Sequence, residues 1–276
     1  MSIRDLLDDG AKRLSAAGVD SARADSRVLL AHAMGVSREN LIARQPSADE
    51  VALFESFVVR RAAREPVAYI RGTREFWSLD FKVGPGVLVP RPESETLIEE
   101  AAAVIPDRNA ALSIADLGVG SGALLIAALK EFPNAHGVGF ENSPNAFRYA
   151  EANLARHGLQ ARGKLVAANW TDATGPFDLV LSNPPYIPAA DIEDLDPEVR
   201  LFEPRAALDG GGDGLDAYRS MAGLMSRLLR PGGTALLELG QGQAKAVELL
   251  FQDLAVVRVA PDLAGIPRVL VVQVPK

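Results

Sequence analysis

The sequence predicts an α/β protein with a doubly wound sheet, preceded by a small helical bundle. Short apolar runs typical of buried strands, such as residues 112–117 and Phe177–Ser182, alternate with helical patterns from about residue 93 onward. A glycine-rich turn separates one of these strands from the helix that follows it. The last two strand patterns, residues 254–260 and 269–274, are joined by a short connection, which predicts an antiparallel pair at the end of the sheet.

Residues 2–64 are helical in pattern, because apolar residues recur on one side and glycines punctuate the segment. Ser47 and Glu50 have the spacing of a capping box at the start of the last of these helices. That helix ends in three arginines, Arg60, Arg61 and Arg64. The helix dipole alone favours cations at this end, so the arginines require no further role. We therefore expect a small bundle whose apolar stripes form its own core.

A connector follows the bundle. Residues 76–88 alternate apolar and polar side chains around Gly84-Pro85-Gly86, which predicts a hairpin or a short extended segment. The predicted boundaries are residues 1–72 for the helical domain, 73–92 for the hairpin linker and 93–276 for the α/β domain. Residues 191–203 are acidic and marked by proline, so we expect a loop over the site, with an ordinary solvated face as the alternative.

Composition excludes several classes of function. The chain has 276 residues, of which 48% are hydrophobic and none is Cys, so disulfides and thiolate chemistry are excluded. His32, His136 and His157 are scattered, so no metal site is expected. The formal net charge of -7 argues against a broad grip on nucleic acid, and no apolar run is long enough to span a membrane. We expect a cytoplasmic protein without direct nucleic acid binding.

The first candidate motif is the glycine turn Gly118-Val119-Gly120-Ser121-Gly122, which lies between the strand at 112–117 and a helical run at 123–129. Glycines let the chain turn tightly and let a ligand approach the backbone, while the helix amino terminus supplies unpaired N–H groups. With Ala123 the turn also satisfies the G-x-G-x-x-A pattern of dinucleotide sites, and Glu141 lies near the distance expected for a ribose-binding acid. Nicotinamide enzymes, methyltransferases and a ligand-free turn all fit this motif.

The second motif, Asn183-Pro184-Pro185-Tyr186, follows the strand Phe177–Ser182, at the edge where open α/β sheets hold ligands. Neither proline donates a backbone N–H and each restricts φ, so the loop is stiff and its carbonyls are fixed in direction. The Asn183 side-chain oxygen, the Asn183 or Pro184 carbonyl and the Tyr186 ring face suit a planar amino or amide nitrogen. A proline turn that merely ends the strand is the alternative.

The order of these parts resembles the amino-group methyltransferases that use S-adenosylmethionine. Further phrases narrow the resemblance to the peptide chain release factor glutamine methyltransferases, from about Pro66 to the end of the chain. The phrases are Pro66-Val67-Ala68-Tyr69-Ile70-Arg71-Gly72, Glu75-Phe76-Trp77, Val87-Leu88-Val89-Pro90-Arg91-Pro92-Glu93, Phe202-Glu203-Pro204 to Leu208 with Asp213-Gly214-Leu215-Asp216, and Glu238-Leu239-Gly240 to Gln243. Two positions depart from the family: Val119 replaces its usual threonine, and Glu141 its usual aspartate.

The resemblance implies a Rossmann-like class I methyltransferase fold, S-adenosylmethionine as cofactor with S-adenosylhomocysteine as product, and no metal. It implies methylation of the side-chain nitrogen (N5) of the glutamine in the Gly-Gly-Gln motif of release factors, which modulates translation termination. The helical domain would help to hold that protein substrate. The implied cofactor-binding residues are Asp116, Gly118, Val119, Gly120, Ser121, Gly122, Glu141, Asn169, Trp170 and Asn183. The implied substrate-binding residues are Arg91, Asn183, Pro184, Pro185 and Tyr186, of which Asn183, Pro184 and Tyr186 are the catalytic candidates.

An amide nitrogen is a poor nucleophile, because its lone pair is shared with the carbonyl. If the Asn183 oxygen and the Pro184 carbonyl accept its two hydrogens, they hold the nitrogen in line and stabilise the positive charge that develops on it. Three other functions stay open. They are N6 methylation of a flipped adenine in nucleic acid, methylation of a ribosomal protein glutamine, and a release factor or ribosome binding module without catalysis.

Overall fold

A computed structural model of the chain describes residues 2–275, apart from the side chains of residues 256 and 257. The chain divides into two compact units. A helical unit comprises Met1–Thr73 and Asp196–Phe202, and an α/β unit comprises Arg74–Leu195 and Glu203–Lys276. Within residues 2–275, no helix combines the length and the apolar character that a membrane crossing requires.

The regular elements are numbered in chain order. The helices are α1 (Ile3–Ala16), α2 (Ala22–Ala33), α3 (Ala48–Ala62), α4 (Val67–Arg71), α5 (Glu95–Val104), α6 (Ala123–Glu131), α7 (Pro144–Arg156), α8 (Pro197–Phe202), α9 (Asp216–Ala222), α10 (Met225–Leu228) and α11 (Ala244–Leu250). The strands are β1 (Thr73–Phe76), β2 (Leu79–Lys82), β3 (Ser113–Leu117), β4 (His136–Glu141), β5 (Gly163–Ala167), β6 (Phe177–Ser182), β7 (Leu229–Glu238), β8 (Ala255–Pro261) and β9 (Pro267–Gln273).

The helical unit has its own apolar core, to which α1, α2 and α3 contribute Leu6, Leu29 and Phe54. Its predicted capping box is confirmed: the Ser47 hydroxyl accepts the Glu50 N–H, and the Glu50 carboxylate accepts the Ser47 N–H. The two reciprocal bonds satisfy donors that the first turn of α3 would otherwise leave unpaired.

Arg61 of α3 and Arg64, two residues beyond the end of α3, do more than face the helix dipole. The Arg61 Nε donates to the Asp25 carboxylate over 2.7 Å, and its Nη2 donates to Glu198 Oε1 over 2.6 Å. Arg64 donates to the other oxygen of Glu198. Glu198 lies on α8, so residues 191–203, which we expected to form a loop, contain a helix that these ion pairs hold against the bundle.

The connector forms a hairpin of β1 and β2, but its turn is not at Gly84-Pro85-Gly86. The chain reverses at Trp77 and Ser78, whose φ angles of 53° and 56° suit a two-residue turn with both central residues left-handed. Side-chain acceptors stabilise this unusual pair: Glu95 accepts the Trp77 N–H over 2.8 Å, and Glu75 accepts the Ser78 N–H over 2.6 Å.

The α/β unit is built on a seven-stranded sheet with the order β5-β4-β3-β6-β7-β9-β8. The first five strands are parallel, while β9 runs antiparallel to both β7 and β8, so the predicted antiparallel pair at the end of the sheet is confirmed. Strands β4 and β5 continue the sheet beyond β3 on one side, and β7, β9 and β8 continue it beyond β6 on the other side. The carboxyl ends of β3 and β6 therefore flank the switch point where such sheets hold ligands.

Helices cover both faces of this sheet, which makes it doubly wound. Along β6, Leu179 and Leu181 belong to the apolar cluster that includes α5 and α6, while Val180 between them belongs to the cluster that includes α9, α10 and α11. Successive side chains of a strand point to opposite faces, so the apolar run that identified this strand in the sequence fills both layers of core.

Candidate active site

An open cleft lies at the carboxyl ends of β3, β4 and β6. It holds about 640 Å³ of empty space, which includes open solvent at its mouth. The residues predicted from sequence that line it are Gly118, Gly120, Glu141, Trp170, Asn183 and Pro185. The topology thus brings together side chains from segments that are far apart in the chain.

The glycine turn is left-handed at each of its glycines, with φ of +79° at Gly118, +57° at Gly120 and +86° at Gly122. These values favour glycine, because a Cβ is strained in this region. A Cβ at Gly118 would also lie 3.7 Å from the Trp170 ring, so glycine keeps the floor of the cleft open to a ligand. Gly122 precedes the first residue of α6, whose amino terminus opens at this turn.

Glu141 ends β4 and is 9% exposed. Its Oε2 accepts the Gly120 N–H over 2.9 Å, and its Oε1 accepts the Ser143 N–H over 2.8 Å. Each carboxylate oxygen has a second lone pair, so Glu141 can hold the turn and still accept hydroxyl donors from a ligand. Binding of a ribose by Glu141 stays a prediction.

Asp116, near the end of β3, is 1% exposed. Its Oδ2 accepts the Leu125 N–H over 3.1 Å, while its Oδ1 has no partner among the described residues. Burial raises the pKa of this carboxyl to about 7. Asp116 Oδ1 is therefore a buried, unpaired acceptor beside the glycine turn, and it can accept a hydrogen bond from a ligand or from a water molecule.

The two non-glycine residues of the turn, Val119 and Ser121, have different surroundings. Val119 is buried in the core, and its Cγ2 would lie 2.7 Å from a Cβ at Gly139, so only glycine fits beneath it. Its apolar side chain is therefore part of the packing under the turn. Ser121 lines a smaller neighbouring cavity, and its carbonyl accepts the buried Asn153 Nδ2 over 2.8 Å.

Trp170 and Asn169 follow β5. The Trp170 ring lines the cleft, and its Nε1 donates to the Ser220 hydroxyl over 3.2 Å, which fixes the plane of the indole. The Asn169 Oδ1 accepts the Thr171 N–H over 3.0 Å and so caps the short turn that carries Trp170. Direct contact of Asn169 with a ligand stays a prediction.

Asn183 follows β6 and lines both the cleft and the smaller cavity. Its Nδ2 donates to the Ser94 hydroxyl over 3.0 Å, so its Oδ1 is the group that can accept from a ligand. The Ser94 hydroxyl in turn donates to Glu238 Oε2 over 2.5 Å. The sheet register explains this proximity, because Ser182 is paired with Leu237, and Asn183 and Glu238 are the next residues.

The other residues of the proline loop, which is Asn183-Pro184-Pro185-Tyr186, are fixed by packing and by hydrogen bonds of Tyr186. Pro184 is buried, and Pro185 lines the cleft. The Tyr186 hydroxyl donates to Glu238 Oε1 over 3.3 Å, and the Tyr186 carbonyl accepts the Gln243 Nε2 over 2.8 Å. Its ring packs with the apolar cluster of α9 to α11. A stacking role of this ring on a substrate stays a prediction.

Arg91 lines the smaller cavity beside Ser94 and Asn183. Its Nη2 donates to Glu203 Oε1 over 2.6 Å, and the other oxygen of Glu203 accepts the Val89 N–H over 3.1 Å. Glu203 is 6% exposed, so the arginine is anchored by a buried carboxylate, and burial raises the pKa of that carboxyl. The ion pair with Glu203 orients the Arg91 side chain, which still lines the smaller cavity.

Sequence reasoning assigned no role to Ser94 or Glu238. A signal for Glu238 was present in the sequence, because it is an acid that directly follows the apolar residues at the end of β7. The structure shows that its side chain is only 1% exposed. Burial raises its pKa to about 7. Ser94 ends a short 3-10 turn before α5, and a serine in that position has no local signal that distinguishes it from a helix cap.

These groups suit a nucleoside-containing ligand. Glu141 supplies an acceptor for hydroxyls, Trp170 supplies a ring face, and the glycine turn supplies an open backbone. Across residues 2–275, His, Asp and Glu do not form a group of three or more that could hold a metal ion. The wall of the cleft thus contains two hydrogen-bond acceptors, the Glu141 carboxylate and the Asn183 amide oxygen.

Comparisons with known proteins agree with this arrangement. The model of the PrmC N-terminal domain matches residues 5–72, and the model of the methyltransferase small domain matches residues 94–213. A solved methyltransferase from Pyrococcus furiosus superposes with a TM-score of 0.53 at 18% identity, covering 72% of this chain and 90% of that one. The methyltransferase fold that the sequence resemblance implied is therefore confirmed.

Curated relatives extend the similarity to nearly the whole chain. The release factor glutamine methyltransferase of Caulobacter vibrioides is 44% identical over 94% of this chain and 91% of its own length. That of Cereibacter sphaeroides is 43% identical over 100% of this chain and 99% of its own length. With this identity over both units, the chain belongs to the release factor glutamine methyltransferase family.

Proposed function

We propose that this protein transfers a methyl group from S-adenosylmethionine to N5 of the glutamine in the Gly-Gly-Gln motif of peptide chain release factors, and so modulates translation termination. One observation carries the proposal. The Asn183 amide lies in the wall of the cleft with its nitrogen bound to Ser94, so its oxygen is presented to a substrate nitrogen. The similarity to release factor glutamine methyltransferases over nearly the whole chain supports the release factor as substrate.

The cleft would bind the cofactor along the carboxyl ends of β3, β4 and β5. When bound, S-adenosylmethionine supplies an electrophilic methyl on a positively charged sulfur. Glu141 would accept hydrogen bonds from the ribose hydroxyls, Trp170 would flank the adenine with Asn169, and the backbone of the glycine turn would line the methionine part. The unpaired Oδ1 of Asp116 is a buried acceptor two residues before this turn. Val119, Ser121 and Gly122 shape the turn itself.

The proline loop would bind and orient the reacting amide. Asn183 Oδ1 and the Pro184 carbonyl would each accept one hydrogen of the glutamine N5, which leaves the nitrogen lone pair directed into the cleft. As the nitrogen gains positive charge, both acceptors interact with it more strongly, so their effect is greater in the transition state than in the ground state. Tyr186 would pack on the amide plane, and Pro185 would exclude water from one side.

The substrate protein would approach through the smaller cavity, whose wall includes Arg91 and Ser94. The helical unit, which matches the family's N-terminal domain, would contribute to docking of the release factor. Because release factors act in translation, we place this activity in the cytoplasm. The net charge of -7 favours recognition of the release factor itself over binding to nucleic acid.

Methyl transfer to defined substrates tests the proposal. The protein is incubated with labelled S-adenosylmethionine and, separately, with release factors, ribosomal proteins and DNA. We expect label in the release factors, located by mass spectrometry on the peptide that contains the Gly-Gly-Gln motif. A release factor whose motif glutamine is changed to asparagine is the control and should stay unlabelled. Label in DNA or in ribosomal proteins alone would refute the proposed substrate.

A further inference from the structure

One buried carboxylate, that of Glu238, is linked to both polar side chains of the proline loop: to Tyr186 directly and to Asn183 through the Ser94 hydroxyl. Glu238 Oε2 accepts the Ser94 hydroxyl, which accepts the Asn183 Nδ2, and Glu238 Oε1 accepts the Tyr186 hydroxyl. Ser94 is 3% exposed and Glu238 is 1% exposed, so water does not compete for these bonds. The backbone carbonyl of Glu238 also accepts the Tyr218 hydroxyl over 2.7 Å, which fixes the end of β7.

The direction of this chain of bonds is determined by proton count. A serine hydroxyl has a single hydrogen, and an ionised carboxylate can only accept. Because Ser94 gives its hydrogen to Glu238, it can only accept from Asn183. The group of Asn183 that faces Ser94 must therefore be the NH₂, and the carbonyl oxygen of the same amide must face away from Ser94.

We propose that Ser94 and Glu238 are positioning residues for methyl transfer. The relay, meaning the hydrogen bonds from Asn183 to Ser94 and from Ser94 to Glu238, sets the orientation of the Asn183 amide. The Asn183 oxygen, which is an acceptor, then faces the substrate nitrogen in place of the NH₂ group. This inference rests on the proposed function. Without the relay the Asn183 amide can turn over and present its NH₂ to the N–H groups of the substrate, and two donors that face each other form no hydrogen bond.

The relay also explains why a charged group is tolerated at the end of a buried strand. An uncompensated carboxylate is costly inside a protein, but Glu238 is bonded through both oxygens. Tyr186 shares this carboxylate, so the first and last residues of the proline loop are held by one group on the adjacent strand. The stiffness of the prolines between them transmits this orientation to the backbone.

Ser94→Ala tests the relay, with Ser94→Thr as the rescue. Threonine keeps the hydroxyl that accepts from Asn183 and donates to Glu238. In single-turnover transfer with saturating cofactor and release factor, Ser94→Ala should be slower by about 10- to 100-fold, a loss typical of a misplaced reacting group. Cofactor affinity should stay within about twofold, since Ser94 contacts Asn183 and not the Glu141 side of the cleft. Ser94→Thr should recover most of the rate.

Ser26→Ala is the matched control, because Ser26 is also fully buried and donates to a backbone carbonyl, but lies in the helical unit. It should transfer at the native rate. Glu238→Gln is a second variant, in which the amide can donate to Ser94 and reverse the relay; it should also slow transfer. Wild-type transfer by a folded Ser94→Ala protein would overturn the proposal.

A readout without substrate separates the relay from the proposed function. Hydrogen exchange of the Asn183 side-chain amide is followed by NMR, with Asn183→Asp to assign the signal. The amide hydrogens should exchange faster in Ser94→Ala than in the wild type and in Ser26→Ala. If the wild type methylates no release factor, the proposed function fails, while the exchange data still decide the relay. Equal exchange in Ser94→Ala and wild type would refute it.

Discussion

The Gly120 N–H donates to Glu141 Oε2 over 2.9 Å, so the acid at the end of β4 holds the glycine turn in its left-handed conformation. The same carboxylate lines the cleft. A single carboxylate therefore both shapes the turn and lies in the wall of the cleft.

Glu141→Ala should weaken S-adenosylmethionine binding by about 1.5–3 kcal/mol, the usual range for hydrogen bonds to a charged group. Glu141→Gln keeps an acceptor for one ribose hydroxyl and for the Gly120 N–H, so its loss should be smaller. Calorimetric titration of the three proteins measures both effects. Equal affinity in the wild type and Glu141→Ala would remove Glu141 from the ribose site.

Arg61→Ala should lower the free energy of unfolding by about 3–5 kcal/mol, because it leaves Asp25 and Glu198 as partly buried carboxylates without this partner. Arg60→Ala on the same helix is the matched control. Arg60 is paired with Glu65 near the surface, where removal should cost no more than about 1 kcal/mol. Urea unfolding of both variants gives the comparison, and similar losses for the two would contradict a structural role for the buried pairs.

Methyl transfer should also depend on the ionisation of Glu238. Burial raises its pKa to about 7, against the opposing effects of the Ser94 hydrogen bond and of Arg268. Below that pH the protonated carboxyl can donate to Ser94, and the relay to Asn183 can then reverse. The single-turnover rate should therefore rise as the pH increases through about 7, and level off once Glu238 is ionised. Rates measured with saturating substrates between about pH 6 and 8 test this.

Glu238→Gln assigns the titrating group. The other groups that act on Glu238 are Glu93, Arg268 and the hydroxyls of Ser94 and Tyr186, while Asp116 has a separate pKa of about 7 beside the glycine turn. In Glu238→Gln the rate should be low across the range and lack the rise. A rise that persists in this variant would assign it to Asp116 and contradict the relay account.

Much of the fold was predictable because its signals are local. Apolar runs identified β3 and β6, and the glycine turn and the two prolines marked the ends of these strands. The parallel arrangement of strand ends then implied that Asn183 lies near the glycine turn. Both motifs line the observed cleft.

The remaining features depend on contacts between distant segments. The turn at Trp77-Ser78 has no glycine or asparagine signal and relies on acceptors from Glu75 and Glu95. Helix α8 is short, and its ion pairs come from Arg61 of α3 and from Arg64, more than a hundred positions earlier. The relay of Ser94 and Glu238 requires the pairing of β6 with β7, which no local pattern reveals.

The most direct test of the proposed chemistry is the effect of Asn183→Ala on single-turnover methyl transfer to a release factor, measured beside cofactor affinity. In the proposed reaction the Asn183 oxygen accepts from the nitrogen on which charge develops, so transfer should slow by about two to three powers of ten, or roughly 3–4 kcal/mol. The affinity for S-adenosylmethionine should fall far less. Near-native transfer by the folded variant would mean that the proline loop only ends a strand, and would contradict a reaction centred on Asn183.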